Sequence, residues 1–207
     1  MSILIHPTYF PNVAHFVAIA NTNSLFFEVE DNYQKQTYRN RTHIYGANGK
    51  LTLQVPVKFT QKNRQKYRDV RIANDGKWQS LHLKSLQSAY RTSPFFEYYE
   101  DDLIPLFENR QKFILDFNFT CFETILNCLQ FNIEYSKTKV YKKAPEDKID
   151  LRYLVNARKE KTFQFEPYTQ VFEHKHGFIN NLSILDLLFN EGPNAISYLE
   201  SQQQFYL

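Results

Sequence analysis

Glycine is scarce in this chain, five residues in 207 with eight prolines, which excludes collagen-like and Gly/Pro-rich low-complexity classes. Cysteine is scarcer. Cys121 and Cys128 lie seven positions apart in a predicted helix. Two helical turns would separate them by about 10 Å, beyond the reach of an unstrained disulfide. They read as reduced core thiols, and no Cys/His spacing suggests a metal site. No run of 18 apolar residues is present to cross a membrane as a helix. The opening Met1-Ser2-Ile3-Leu4-Ile5-His6-Pro7 has no basic region and too short an apolar run for a signal peptide, so a cytoplasmic protein is expected. G-x-S-x-G, P-loop, G-x-G-x-x-G and H-E-x-x-H patterns are absent. No repeat recurs at a 20–50-residue period.

Aromatic rings and clustered positive charge are abundant. Nineteen Phe and fourteen Tyr can build a core with few Leu and Val. Residues 35–71 hold ten Lys or Arg and one acid, Asp69, for a net +9; the whole chain is +3, so everything else sums to −6. That asymmetry points to an anionic ligand held by the N-terminal third.

The length suits one domain over 1–207, sheet-rich in 1–76 and mainly helical in 77–207. Residues 2–5 read as a strand. Val13, Phe16, Val17 and Ala20 recur at helical spacing after Pro11 or Asn12, and residues 25–30 form a second strand. Strand, helix, strand in this length is a βαβ unit, whose ligand end lies beyond the carboxyl ends of its strands. Residues 42–45 and 51–58 flank Gly46-Ala47-Asn48-Gly49 as a hairpin. Residues 59–67 read as a basic connection and 70–73 as a further strand. Helices follow, the first with Trp78, Leu81, His82, Ser85 and Ala89 on one face, and others over 95–107, around Phe119 to Leu129, and near Leu182 to Phe189. Residues 137–150 read as a charged, mobile excursion. The fold class is α/β: an N-terminal βαβ-containing mixed sheet with a hairpin, then a mainly helical half.

Three constellations bear on chemistry. The stiff loop His6-Pro7-Thr8-Tyr9-Phe10-Pro11-Asn12 opens a helix, where free N–H groups favour an anion. The alternative is a rigid turn with Tyr9 and Phe10 packed inward, and His6, following a buried strand, reads more readily as a structural residue than as a general base. Lys35-Gln36-Thr37-Tyr38-Arg39-Asn40-Arg41 supplies cations, a ring and an amide suited to phosphate. Glu28 and Glu30 alternate toward one face and could neutralise those arginines. A divalent cation there has no support from one sequence. His82, on the inward face with Trp78 and near Tyr90, is either a hydrogen-bonded core residue or a pocket base. His174 and His176 have a loop pattern.

Taken in order, these segments resemble the WbqC-like family. The matches are Pro7, Tyr9, Phe10 and Pro11; Lys35, Arg39, Asn40 and Arg41; Pro56 and Val57; and Trp78, His82, Ala89, Tyr90, Pro94 and Phe95. Position 6 departs from the pattern, being His where the family has Gln. The resemblance implies modification of an activated sugar, or transfer of a small group to one, in surface-polysaccharide precursor metabolism. The expected site has a phosphorylated or nucleotide-activated small molecule on the His6–Asn12 loop, with Tyr9, Asn12, Lys35, Tyr38, Arg39, Asn40, Arg41, Trp78 and Tyr90 binding and His82 or His6 as base. No cofactor is identified. Two rivals stand beside it. A single-stranded nucleic acid could track the basic segment and stack on Tyr33, Tyr38, Tyr45 and Tyr67. A non-catalytic scaffold could present the aromatic helices to a partner.

Overall fold

A computed structural model describes residues 1–60 and 64–202. Strand β1 (Ser2–Ile5) is followed by helix α1 (Val13–Ala20) and strand β2 (Ser24–Phe27), which pairs in parallel with β1 from Ser2↔Ser24 to Ile5↔Phe27. This is the expected βαβ unit. Asn12 caps α1, its side chain accepting from the His15 amide, and Asn21 closes it. The helix is buried over residues 13–19, as expected for a segment apolar on every side.

Strands β3 (Arg41–Gly46) and β4 (Gly49–Gln54) form the hairpin, with Gly49 at φ 96° where the chain reverses. The second arm breaks at Val55-Pro56, and β5 (Val57–Lys58) pairs instead with β6 (Arg71–Ile72). Proline lacks the N–H that continuing the ladder requires. Part of the basic connection, residues 61–63, lies outside the described residues, as does position 203 beyond the last helix.

Helices α2 (Trp78–Tyr90), α3 (Phe96–Glu108) and α4 (Ile114–Cys128) follow. The inward stripe of α2 is Trp78, His82, Leu86, Ala89 and Tyr90, spaced at four, four, three and one. Leu81, expected on that face, is 62% exposed, and Ser85 is only half-buried. One residue before His82, Leu81 is rotated about 100° away from it. Cys121 and Cys128 on α4 are free and buried, with burial pushing the Cys121 thiol well above its ordinary range.

The parallel sheet is completed by two very short strands from the second half. With β7 (Tyr135–Lys137) beside β2 and β8 (Ile149–Asp150) beside β1, the order is β7-β2-β1-β8. Phe27 meets Phe119, Phe122 and Tyr135 edge-on, so one face of the sheet is sealed by rings from α4. The opposite face, carrying Leu4 and Phe26, faces the exposed lysine-rich stretch that links β7 to β8. Helix α5 (Glu173–His176) precedes α6 (Ile184–Glu191) and α7 (Ala195–Ser201), which pack on α1. At the start of α6, buried Asp186 accepts from Tyr90 Oη (2.7 Å), Tyr168 Oη (2.7 Å) and Gln170 Nε2 (2.8 Å). Tyr90 Oη accepts in turn from the Tyr45 amide, which ties the hairpin to α6. Among the described residues no helix is long and apolar enough to cross a membrane.

Candidate functional site

The parallel strands deliver their following residues to one end of the sheet, and the polar groups gather there. His6 follows β1 directly, Asp31 lies four residues past β2, and Asp150 and Arg152 come at the end of β8. Arg39 arrives from the basic segment, which is threaded through the interior. The Tyr38 amide donates to the Val155 carbonyl (2.8 Å), the Tyr38 carbonyl accepts from the Tyr9 amide (2.9 Å), and the Arg39 carbonyl accepts from Asn118 Nδ2 (2.7 Å).

One oxygen joins the set. Asp31 Oδ2 accepts from His6 Nε2 at 3.0 Å and from Arg39 Nη2 at 2.8 Å. Burial alone would raise the Asp31 carboxyl, but the His6 bond and the Arg39 charge outweigh it and hold the group below its ordinary value. His6 is pushed down to about 4, first by burial and then by Arg39, against the pull of Asp31. At neutral pH its ring is therefore neutral, with one proton to serve two acceptor neighbours. These are Asp31 Oδ2 at Nε2 and the Arg152 carbonyl oxygen, 3.4 Å from Nδ1.

Arg39 is the least ordinary group here. It is 0% exposed, packs over the Tyr67 ring at 5.2 Å, and has no hydrogen-bond partner for Nε or Nη1 among the described residues. Arg152 is its opposite, fully engaged. It holds Asp150 in two prongs (2.8 and 2.6 Å) and donates to the carbonyls of Lys142 (2.9 Å) and Lys143 (3.0 Å). His6, Asp31, Arg39, Tyr141, Asp150 and Arg152 line a cleft of about 280 Å³. Its lining is polar, with two guanidiniums facing two carboxylates.

Of the residues expected to share one site, His6 and Arg39 meet in this cleft. Arg41 instead lines a neighbouring hollow of about 400 Å³ with Lys35, Asn40 and Tyr33. Asn40 Nδ2 donates to the Val55 carbonyl (2.8 Å), and Lys35 sits over the Phe59 ring at 5.4 Å. Glu28 and Glu30 do not face these arginines: Glu30 pairs with Arg68 at 2.6 Å and Glu28 lies 3.6 Å from Arg152. Asp31 is the partner of Arg39.

Other expected site residues lie in the interior. Tyr9 Oη donates to His82 Nδ1 (2.9 Å), and His82 is enclosed by the Tyr9 and Trp78 rings. Burial lowers His82 to about 4 against a bond to the Gln54 backbone. Trp78 Nε1 donates to Asn74, Tyr38 Oη to Glu160 (2.8 Å) and Tyr90 to Asp186, while Asn12 serves α1 as its cap. Tyr33, Tyr38, Tyr45 and Tyr67 are all buried, so the rings expected as stacking platforms for a nucleic acid belong to the core. His176 Nε2 donates to the Ala47 carbonyl, and among the described residues no group of three His, Cys, Asp or Glu is placed to hold a metal.

Asp31, Asp150 and Arg152 went unforeseen as site residues. The signal for Asp31 was its place at the end of an acidic run beside the basic segment. Asp150-Leu151-Arg152 carried none, since the strand before it has two residues.

The model of the WbqC-like protein family matches residues 6–160 and 159–198, spans that include every residue of the cleft. The chain is also 25% identical to the uncharacterised protein Rv1507c of Mycobacterium tuberculosis (strain ATCC 25618 / H37Rv), covering 97% of this chain and 98% of that one. No solved structure matches.

Proposed function

We propose that this chain, which belongs to the WbqC-like protein family, is a transferase acting on an activated sugar or another phosphorylated small molecule in surface-polysaccharide precursor metabolism. The observation that carries the reading is Arg39, a wholly buried guanidinium lining a polar cleft with two of its three nitrogens unpartnered among the described residues. Arg39 keeps one charged partner, Asp31, and burying a charge so incompletely paired is unfavourable; phosphate oxygens would supply the acceptors that Nε and Nη1 lack.

His6 takes the part of the base in the tautomer that donates from Nε2 to Asp31, which leaves the lone pair on Nδ1, beside the Arg152 carbonyl. An acceptor hydroxyl loses its proton to Nδ1 as its oxygen bonds the transferred group. The bond to the leaving phosphate oxygen breaks with its electron pair, and the new negative charge falls to Arg39. Positioning and charge stabilisation of this kind need no covalent nucleophile. His82 is left to hold Tyr9 in the core.

The test is NMR of the His6 ring during titration with inorganic pyrophosphate, nucleotide-sugars and a single-stranded oligonucleotide. A phosphorylated small molecule should shift the His6 signals in the wild type and not in Arg39→Met. A His6 ring that responds to none of them, or to the oligonucleotide alone, would sink the transferase reading.

A further inference from the structure

A second hollow adjoins the cleft and plays no part in the chemistry above. It measures about 450 Å³ and lies between the open face of the parallel sheet and the strap of residues 138–148 that joins β7 to β8. Leu4 and Phe26 make its apolar floor; Lys139, Lys142 and Lys148 come from the strap. Lys148 lies over the Phe26 ring at 4.3 Å and pairs with Asp147, whereas Lys139 and Lys142 make no ion pair among the described residues. Lys137 also borders the hollow, but its ammonium is 3.9 Å over the Phe119 ring and is left out of the count.

Glu28 supplies the second observation. It is 0% exposed and lines the same hollow. Its Oε1 accepts from the Glu30 amide (2.8 Å) and Thr138 Oγ1 (2.9 Å). Its Oε2, 3.6 Å from Arg152 Nη1, has no hydrogen-bond donor among the described residues. The hollow thus offers an apolar floor, a cationic rim and one buried acceptor in need of a donor.

We propose that this hollow takes the nucleoside diphosphate half of the activated donor: base and ribose over Leu4 and Phe26, a ribose hydroxyl or base N–H donating to Glu28 Oε2, and the diphosphate on Lys139 and Lys142. It rests on the transferase reading and names the substrate class for it. The Arg152 guanidinium lies between the two hollows, 3.6 Å from Glu28 on one side and lining the cleft on the other. A diphosphate leaving the lysines at that point directs its transferred group toward His6 and Arg39. A lipid diphosphate would match the floor and the rim, but its hydrocarbon has no donor to give Glu28 Oε2, which would stay unpaired beneath it. A nucleoside supplies the donor. The volume falls in the range of small-molecule sites.

Calorimetric titration with uridine, adenosine, guanosine, cytidine and thymidine diphosphates, inorganic pyrophosphate and geranyl diphosphate tests the assignment. At least one nucleoside diphosphate should bind ten or more times tighter than pyrophosphate and than geranyl diphosphate. The double variant K139E/K142E, on exposed positions of the strap, should weaken that binding at least tenfold, while the charge-matched K77E/K84E on exposed positions of α2 should change it less than threefold. Glu28→Gln should weaken the nucleoside diphosphate and leave pyrophosphate unchanged. Geranyl diphosphate binding tightest, no nucleoside diphosphate binding at millimolar concentration, or indifference to K139E/K142E would each overturn the proposal. Failure here is separable from failure of the transferase reading. A His6 ring that responds to phosphate esters in a protein whose nucleotide binding ignores the strap lysines keeps the cleft and discards this hollow; a silent ring beside strap-dependent nucleotide binding does the reverse.

Discussion

Asp186 and Arg39 are both fully buried charged residues, yet they are solved differently. Asp186 receives three hydrogen bonds, and two of its partners are further committed: Tyr90 accepts from the Tyr45 amide, and Gln170 Oε1 accepts from the Ile179 amide. Arg39 makes one side-chain hydrogen bond, to Asp31, and leaves Nε and Nη1 unpartnered among the described residues. A closed network fixes the positions of the elements it joins. An open one retains directional capacity, and a protein keeps such a deficit in its interior where something else is meant to complete it. The first cluster is closed; the second is the one that the proposed function assigns to a ligand.

The comparison is broken most directly at Asp186. Asp186→Ala strips three buried donors of their acceptor and should cost about 3–5 kcal/mol in urea unfolding. Phosphate-dependent His6 shifts should persist under native conditions. A mild loss would mean the knot is not the architectural element described.

Acid is the next largest lever. Burial holds His6, His43 and His82 near 4 and His15 near 3, against 6.5 in the unfolded chain. As pH falls through 6.5 the unfolded chain takes up protons that the folded chain refuses until about 4, so stability falls across that window. Asp186 opposes them. Burial raises it to about 6 from 3.8, so the folded chain takes up its proton first, and its contribution rises as pH falls from 6 to 3.8. Glu160, also raised by burial, opposes them too, and four groups against two should lower the melting temperature on the order of 10 °C between pH 6.5 and 4.5. A flat profile would show these rings already protonated in the fold.

Arg39→Met sharpens the contrast from the other side. Stability should fall less than for Asp186→Ala, by about 1–3 kcal/mol, since Asp31 loses its charged partner but keeps its His6 bond. Phosphate affinity, read by titration, should drop at least tenfold, about 1.4 kcal/mol. Loss of folding with phosphate binding intact would exchange the roles of the two clusters. The two histidines separate in the same manner. His82→Ala should lower stability by about 1–3 kcal/mol through the stranded Tyr9 hydroxyl while leaving phosphate binding alone. His6→Gln, the amide that the family pattern carries at that position, should fold within about 1 kcal/mol of the wild type, keep its bond to Asp31 and lose transfer. Lys35→Ala should do least, within about 0.5 kcal/mol in stability, since its side chain is exposed and lies outside the cleft.

What the sequence made legible was local. The βαβ unit, the Asn12 cap, the hairpin and the three long helices each announce themselves within a dozen residues, through periodicity or a turn residue. The exposed character of residues 138–148 was legible too, from charge without periodicity. Strands of three and two residues at its ends were not, because alternation cannot register in so few positions. Arg39 stood out as an anion binder by composition, but its burial depends on Tyr67 and on Asn118, 79 positions away, and no local pattern carries that. Asp186 was invisible for the same reason: its partner Tyr90 lies 96 positions off. His82 was correctly placed inward by helical phase. Phase alone cannot say whether a tyrosine or a ligand waits there.

Arg152 carries a further consequence. Its guanidinium clasps the carbonyls of Lys142 and Lys143 while its own carbonyl faces the His6 ring. A shift of the strap large enough to strain that clasp would pull on the residue that borders His6 Nδ1. On the proposed assignments, occupancy beneath the strap and occupancy of the cleft would then be linked quantities. Whatever factor one occupant imposes on the affinity of the other must be returned in equal measure when the order of arrival is reversed.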